Sequence, residues 1–159
     1  MFALNTILHP TDFSERSDVA FQLASSLAKD HGAKLLVLHV VQPRAVAYGE
    51  AISDLALKEC MEKAWQDIER YRAKEGSGLV VEHLVEEGDP ATRILQVAAD
   101  RGCDLIVMGT HGRRGLARLL MGSVAEQVVR KAPCPVVTVK QQFPAQTEEA
   151  AKAEAAQAM

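Results

Sequence analysis

The stretch Cys103-Asp104-Leu105-Ile106-Val107-Met108-Gly109-Thr110-His111-Gly112, read with Gly122-Ser123-Val124-Ala125-Glu126-Gln127-Val128-Val129, decides the fold. Its first part is a short apolar run of strand character, and its last part is helical. Between them Gly109, Gly112 and Gly122 keep the spacing G-x2-G-x9-G, with Ser123 directly after the last glycine. Glycine lets a backbone pass close to a bound group, and the first N–H groups of a helix have no partner inside it. A strand, a glycine loop and a helix N-terminus in that order suit an anion, and the expected anion is a phosphate.

Outward from this stretch the chain alternates. Thr6-Ile7-Leu8-His9 is a short apolar run ahead of the turn residues Pro10-Thr11-Asp12. Ser14 is a candidate N-cap for a helix with Ala20, Leu23, Ala24, Leu27 and Ala28 on its apolar face, ending at Gly32. Leu35 to Val41 is a continuous aliphatic run, as in a parallel strand covered on both faces. A loop from Gln42 to about Ala51 leads to a longer helix ending near Lys74, with the stripe Leu57, Cys60, Met61, Ala64, Ile68 and Tyr71. Leu79 to Val85 is a third strand, and Asp89-Pro90 opens a helix bearing Ile94, Leu95 and Ala98. Leu105 to Met108 and Val136 to Val139 complete five strands.

Strands joined by helices return parallel through right-handed crossovers. The expected fold is therefore α/β, a single-domain three-layer α/β/α unit with a five-stranded parallel sheet. It spans residues 1–142, followed by an Ala/Glu-rich tail at 143–159 that reads as a disordered or frayed helix. If three strands run outward one way and the last two the other, the first and fourth are neighbours. The loop Pro10-Thr11-Asp12 then shares a crevice with the glycine loop, at the topological switch point.

Composition narrows the function classes. At 159 residues, 48% hydrophobic and 25% charged, the chain can bury one proper core. A net charge of −3 and 4% aromatic residues argue against nucleic acid as a partner. No apolar run is long enough for a membrane span, and no basic segment precedes the first apolar run as in a signal peptide. Cys60, Cys103 and Cys134 are widely spaced, which suits reduced thiols and a cytoplasmic location. Spacing also excludes other phosphate loops. The position five after Gly109 is Arg114 where a Walker loop has its second glycine, no lysine precedes Ser123, and the glycines follow the fourth strand instead of the first.

Several motifs together resemble the universal stress protein family, of the ATP-binding type. They are Pro10-Thr11-Asp12-Phe13-Ser14, Leu38-His39-Val40, Gly109-Thr110-His111-Gly112-Arg113, the run Gly115 to Glu126 and Ala132-Pro133-Cys134-Pro135-Val136. The resemblance covers about residues 1 to 140. It implies strand order 3-2-1-4-5, as in the adenine nucleotide alpha hydrolase-like fold, and ATP at the glycine loop, with Mg or Mn held through the phosphates. It also implies a homodimer in which the fifth strand, Val136, Val137, Thr138 and Val139, pairs with its copy. Covering of that edge by the chain's own tail is the alternative.

The candidate ATP-binding residues are Pro10, Thr11, Asp12, Val40, Met108, Gly109, His111, Gly112, Arg113, Gly122, Ser123 and Val124. The three glycines and Ser123 suit the phosphates; the plainer reading is turn geometry with Ser123 as an ordinary N-cap. By resemblance Asp12 contacts the nucleoside and Val40 borders the adenine through its backbone. Asp12 as a turn residue is the alternative. Arg113, Arg114 and Arg118 suit phosphate or solvent equally. His111 has no nucleophile or orienting acid identifiable beside it, and His9 and His39 read as packing residues at strand ends. The expected function is an ATP-binding, stress-response regulatory protein with little or no catalysis. A slow adenine-nucleotide hydrolase or phosphotransferase in the same crevice is the alternative.

Overall fold

Leu35, Leu36, Val37 and Leu38 are all buried although successive strand residues point to opposite faces, so the sheet they belong to is covered on both sides. The computed structural model describes residues 2–42, 53–72, 74–110 and 121–140. Their elements are β1 (Thr6–Pro10), α1 (Glu15–His31), β2 (Lys34–Val41), α2 (Asp54–Arg72), β3 (Val80–Glu87), α3 (Pro90–Asp100), β4 (Leu105–Gly109), α4 (Ser123–Lys131) and β5 (Val136–Val139). The sheet is parallel throughout, in the order β3-β2-β1-β4-β5, as the sequence led us to expect. The Gln42 loop beyond its first residue, and the tail at 143–159, lie outside the described residues.

Two cores flank the sheet. Ile7, Leu35, Val37, Leu105 and Val107 pack with Phe21 and Ala24 of α1 and with Ile68 and Tyr71 of α2. Leu8, Leu36, Leu38 and Ile106 face the other way, onto Ala91, Ile94 and Ala98 of α3 and Ala125 and Val128 of α4. Each fully buried Leu or Ile contributes roughly 1.5–3 kcal/mol, so the sheet is the principal source of stability.

The helix boundaries follow local rules. Ser14 caps α1 by accepting from Ser17 N, and Gly32 ends it in the left-handed conformation that glycine adopts without strain. Asp89 caps α3, with Pro90 as its first residue.

Several expectations need correction. Each strand except the fifth is one residue longer than its apolar run, and β3 starts one residue later than expected, at Val80, and runs on through the polar Glu86 and Glu87, which still join the ladder. On α1 the buried face is Ser17, Ala20, Phe21, Ala24 and Ala28, and Leu23 is 37% exposed. Small alanines let the helix lie close to the sheet, and Phe21 takes the place expected for a leucine. On α2, Ala64, Ile68 and Tyr71 are buried but Cys60 is exposed, so the helix contributes to the core mainly through its second half.

Candidate functional site

Because β1 is bordered by β2 on one side and β4 on the other, the direction in which successive strands are added to the sheet reverses between β1 and β4. Beyond the sheet, the two strands part. Thr11 N donates to Leu38 O of β2 at 2.8 Å, whereas Thr110 N donates to Val139 O of β5 at 3.1 Å. Thr11 and Thr110 are thus bonded to the outer neighbours of β1 and β4, and the carboxyl ends of the two strands are left unpaired with each other, at the switch point where open α/β sheets have their ligand crevice.

One wall is the loop after β1, and its polar groups are satisfied internally. Thr11 is buried; its Oγ1 donates to Tyr71 Oη at 2.9 Å and accepts from Phe13 N at 3.0 Å. Tyr71 Oη donates in turn to Asp18 Oδ1 at 2.8 Å, and Lys74 Nζ reaches Asp18 Oδ2 at 2.8 Å. Burial, first of all, raises the Tyr71 phenol above its ordinary pKa, so it stays a donor. Asp12 Oδ1 accepts from Ser14 N at 3.0 Å, Ser14 Oγ at 2.5 Å and Ser17 Oγ at 2.7 Å. Asp12 N donates to Ser17 Oγ at 3.2 Å. Asp12 is therefore fixed in direction by its own turn, and Thr11 shapes the wall from behind.

This loop also holds the single described non-glycine residue with positive φ, Phe13 at 62°. A bulky side chain there is strained. The conformation is held by the Thr11 Oγ1 bond and by the ring, which packs 4.4 Å from His39 and 5.5 Å from Tyr71.

The opposite wall is the N-terminus of α4. Gly122 is its N-cap, Ser123 its first residue, and no side chain among the described residues caps it. The reading of Ser123 as an ordinary N-cap is thereby overturned. Gly122 has φ −72° and ψ 162°, a conformation open to any residue, so its backbone does not require glycine. What glycine supplies here is the absence of a side chain, the condition for close approach. Gly122 N donates to Thr110 O at 2.7 Å, which ties the helix start to the end of β4.

The remaining candidates fall into four groups. Pro10, Met108 and Gly109 end β1 and β4 at the floor of the crevice, with Pro10 and Met108 buried. Val40 lies near the end of β2, half-buried, and by strand alternation its backbone faces the β1 side beyond where β1 has turned away. Val124 follows Ser123 in the first turn of α4. His111, Gly112 and Arg113, like Arg114 and Arg118, lie outside the described residues.

Sequence reasoning assigned His9 and His39 to packing, and the structure gives both a hydrogen bond to a strand-end carbonyl. His9 Nδ1 donates to Val107 O at 2.9 Å and His39 Nδ1 to Thr11 O at 2.8 Å. His9 is fully buried, and burial pushes its imidazole down to about 4 despite the Val107 bond and the nearby carboxylates of Asp12 and Asp18. The sequence signal that could have found this role is the dipeptide His9-Pro10, in which a donor side chain precedes a residue with no N–H.

Comparison with known proteins places the chain. The model of the universal stress protein family matches residues 4–140. The universal stress protein in the QAH/OAS sulfhydrylase 3′ region of Thermus aquaticus is 40% identical over 136 residues, which is 85% of this chain and 98% of that one. The solved structure of the hypothetical protein MJ0577, from Methanocaldococcus jannaschii, superposes with a TM-score of 0.79 at 30% identity, covering 88% of this chain and 98% of that one. A universal stress protein family protein from Arabidopsis thaliana, solved with AMP bound, has a TM-score of 0.58 at 21% identity over 92% of this chain and 98% of its own, a likeness of fold. No helix among the described residues is long and apolar enough to cross a membrane.

Proposed function

The chain belongs to the universal stress protein family, and from that premise we propose that it is an ATP-binding regulatory protein of the stress response, cytoplasmic, homodimeric and with little or no catalysis. The observation that carries this reading is the start of α4 at the switch point, which no described side chain caps. There the N–H groups of the first turn and the helix dipole converge where Gly122 leaves room, which suits phosphate oxygens. The Ser123 hydroxyl, exposed beside them, adds a donor. Gly109, His111, Gly112 and Arg113 complete the phosphate loop in this reading. The nucleoside lies across the crevice against Pro10, Thr11, Asp12 and the Val40 backbone, with Met108 beneath and Val124 on the α4 side. Mg or Mn is held through the phosphates. The AMP in the Arabidopsis relative is in keeping with an adenine nucleotide, although the assignment rests on this chain's geometry.

The dimer is proposed through β5. This strand pairs with β4 on one side, and Val137 remains 36% exposed on an apolar, β-branched edge. Pairing with a second copy would complete the ladder. Sedimentation equilibrium at micromolar concentration should give twice the chain mass, and a single 17 kDa species would remove this part of the proposal.

Calorimetric titration with ATP and magnesium, with NAD as the comparison, tests the whole. One ATP per chain and little response to NAD is the expected result. Gly122→Val should fold, since its φ suits any residue, and should lose the binding. No heat from a nucleotide-free preparation would overturn the reading, as would ATP turnover at ordinary enzymatic rates.

A further inference from the structure

The ladder between β1 and β4 is short. β1 and β2 remain paired out to Pro10↔Leu38, and β4 and β5 out to Gly109↔Val139, while β1 and β4 pair at Ile7↔Leu105 and Leu8↔Ile106. In a parallel ladder each residue on the bonded side donates to the carbonyl one position before its partner. Extending the β1–β4 register sets Pro10 opposite Met108, so the amide at position 10 would donate to Val107 O. Proline has no N–H. The Val107 carbonyl lies buried at this point, and the donor it receives is His9 Nδ1, at 2.9 Å.

The imidazole is an expensive way to fill that space. His9 lies among Phe21 and Tyr71, with ring centroids at 5.7 and 6.5 Å, where an aliphatic side chain would pack without polar cost. A carbonyl can only accept, so the proton is on Nδ1, and Nε2 is left buried without a partner among the described residues. A merely packed residue has no reason to carry that orphan atom. The same device recurs at His39, whose Nδ1 takes the Thr11 carbonyl on the other side of the β1 loop.

We propose that His9 is a positioning residue for the crevice. Pro10 withholds the amide that would zip β1 to β4, and His9 occupies the freed carbonyl, fixing the fork between the two strands just beyond Leu8 and Ile106. The separation of the Asp12 loop from the α4 N-terminus, and so the span available to a ligand, is set at this fork. The connection to nucleotide binding rests on the function proposed above; the fork itself does not.

Nitrogen-15 NMR of the imidazoles, on the intact chain, reads the fork directly. His9 should carry its proton on Nδ1 with or without ATP, whereas a proton on Nε2 would leave Val107 O without its donor and overturn the proposal. ATP titration then reads the positioning. His9→Leu should weaken binding about tenfold. His9→Asn, whose amide nitrogen sits where Nδ1 was, should restore affinity to within about threefold of the unaltered protein. Equal affinity in His9→Leu, or a His9→Asn as weak as His9→Leu, would reduce His9 to packing and overturn the positioning role. If the unaltered protein binds no ATP, the nucleotide reading fails by itself, and the fork stands or falls on the tautomer.

Discussion

The two helices that start at the crevice treat their first turns in opposite ways. At α1 the chain satisfies itself: Ser14 accepts from Ser17 N, and Asp12, Ser14 and Ser17 form a closed cluster. At α4 the cap is Gly122, which offers no side chain. The remaining two described helices resemble α1, with Ser53 Oγ accepting from Ala56 N and Asp89 Oδ2 from Thr92 N. A helix that caps itself gains stability, and one that leaves its donors open keeps them for something else. On the function proposed above, the closed wall would orient a ligand and the open wall would hold it.

The largest effect should come from making the open end like the closed one. Gly122→Asp would cap α4 with a carboxylate, raising stability by a few tenths of a kcal/mol and occupying the donors with negative charge. Loss of two charge-assisted hydrogen bonds corresponds to about a hundredfold weaker ATP binding. Calorimetry and a thermal melt on one preparation check both halves, and undiminished affinity would break the comparison.

The strand that leads into the closed wall is expected to be sensitive to acid, through His9. In the folded chain the His9 imidazole stays neutral down to about 4, against 6.5 for an exposed histidine. Acidification from 6.5 to about 4 therefore protonates the unfolded chain first and favours it, costing about 3 kcal/mol when complete. His9→Asn has no such group. Urea unfolding of both proteins across that range should show the unaltered chain losing about that much more stability. Parallel curves would mean His9 is accessible to protons when folded.

Next comes Tyr71→Phe, which removes the hydroxyl between Thr11 and Asp18. Unfolding free energy should fall by about 1–2 kcal/mol, and ATP affinity should fall far less than in Gly122→Asp. The smallest effect is expected at a closed end away from the crevice. Asp89→Ala should cost about 1 kcal/mol in a thermal melt and leave ATP affinity unchanged. A clear loss of affinity there would extend the site to α3.

What the sequence revealed depended on how local the physics was. Ser14 and Asp89 were readable as caps because the residues they bond lie three positions on. The strand order came from the resemblance and from topology, and Leu105–Gly109 beside Thr6–Pro10 agrees with it. The misread positions were those where neighbours far along the chain decide. Leu23 fits the helical period, yet the sheet beneath takes Phe21 instead. Thr11 was readable as a turn residue beside Asp12, but its bond to Tyr71 spans 60 residues and has no local signature. His9 was least legible, since its role depends on the register between two strands nearly a hundred residues apart.

That separation has a consequence for the order of folding. β1, β2 and β3 are consecutive in the chain and adjacent in the sheet, as are β4 and β5, so each group can form from nearby segments. The β1–β4 seam cannot, because it joins residues about a hundred positions apart and must overcome the full entropy of that loop. Its Asp104 side chain takes the amides of Asn5 and Thr6, at 2.7 and 2.9 Å, so the seam is stapled at the end opposite the crevice. The seam is expected to close late, with low φ-values at Leu8 and Ile106, and the crevice comes into being with it. On the function proposed above, nascent chains on the ribosome would stay blind to nucleotide until β4 and the start of α4 have emerged, however well ordered their first three strands had become.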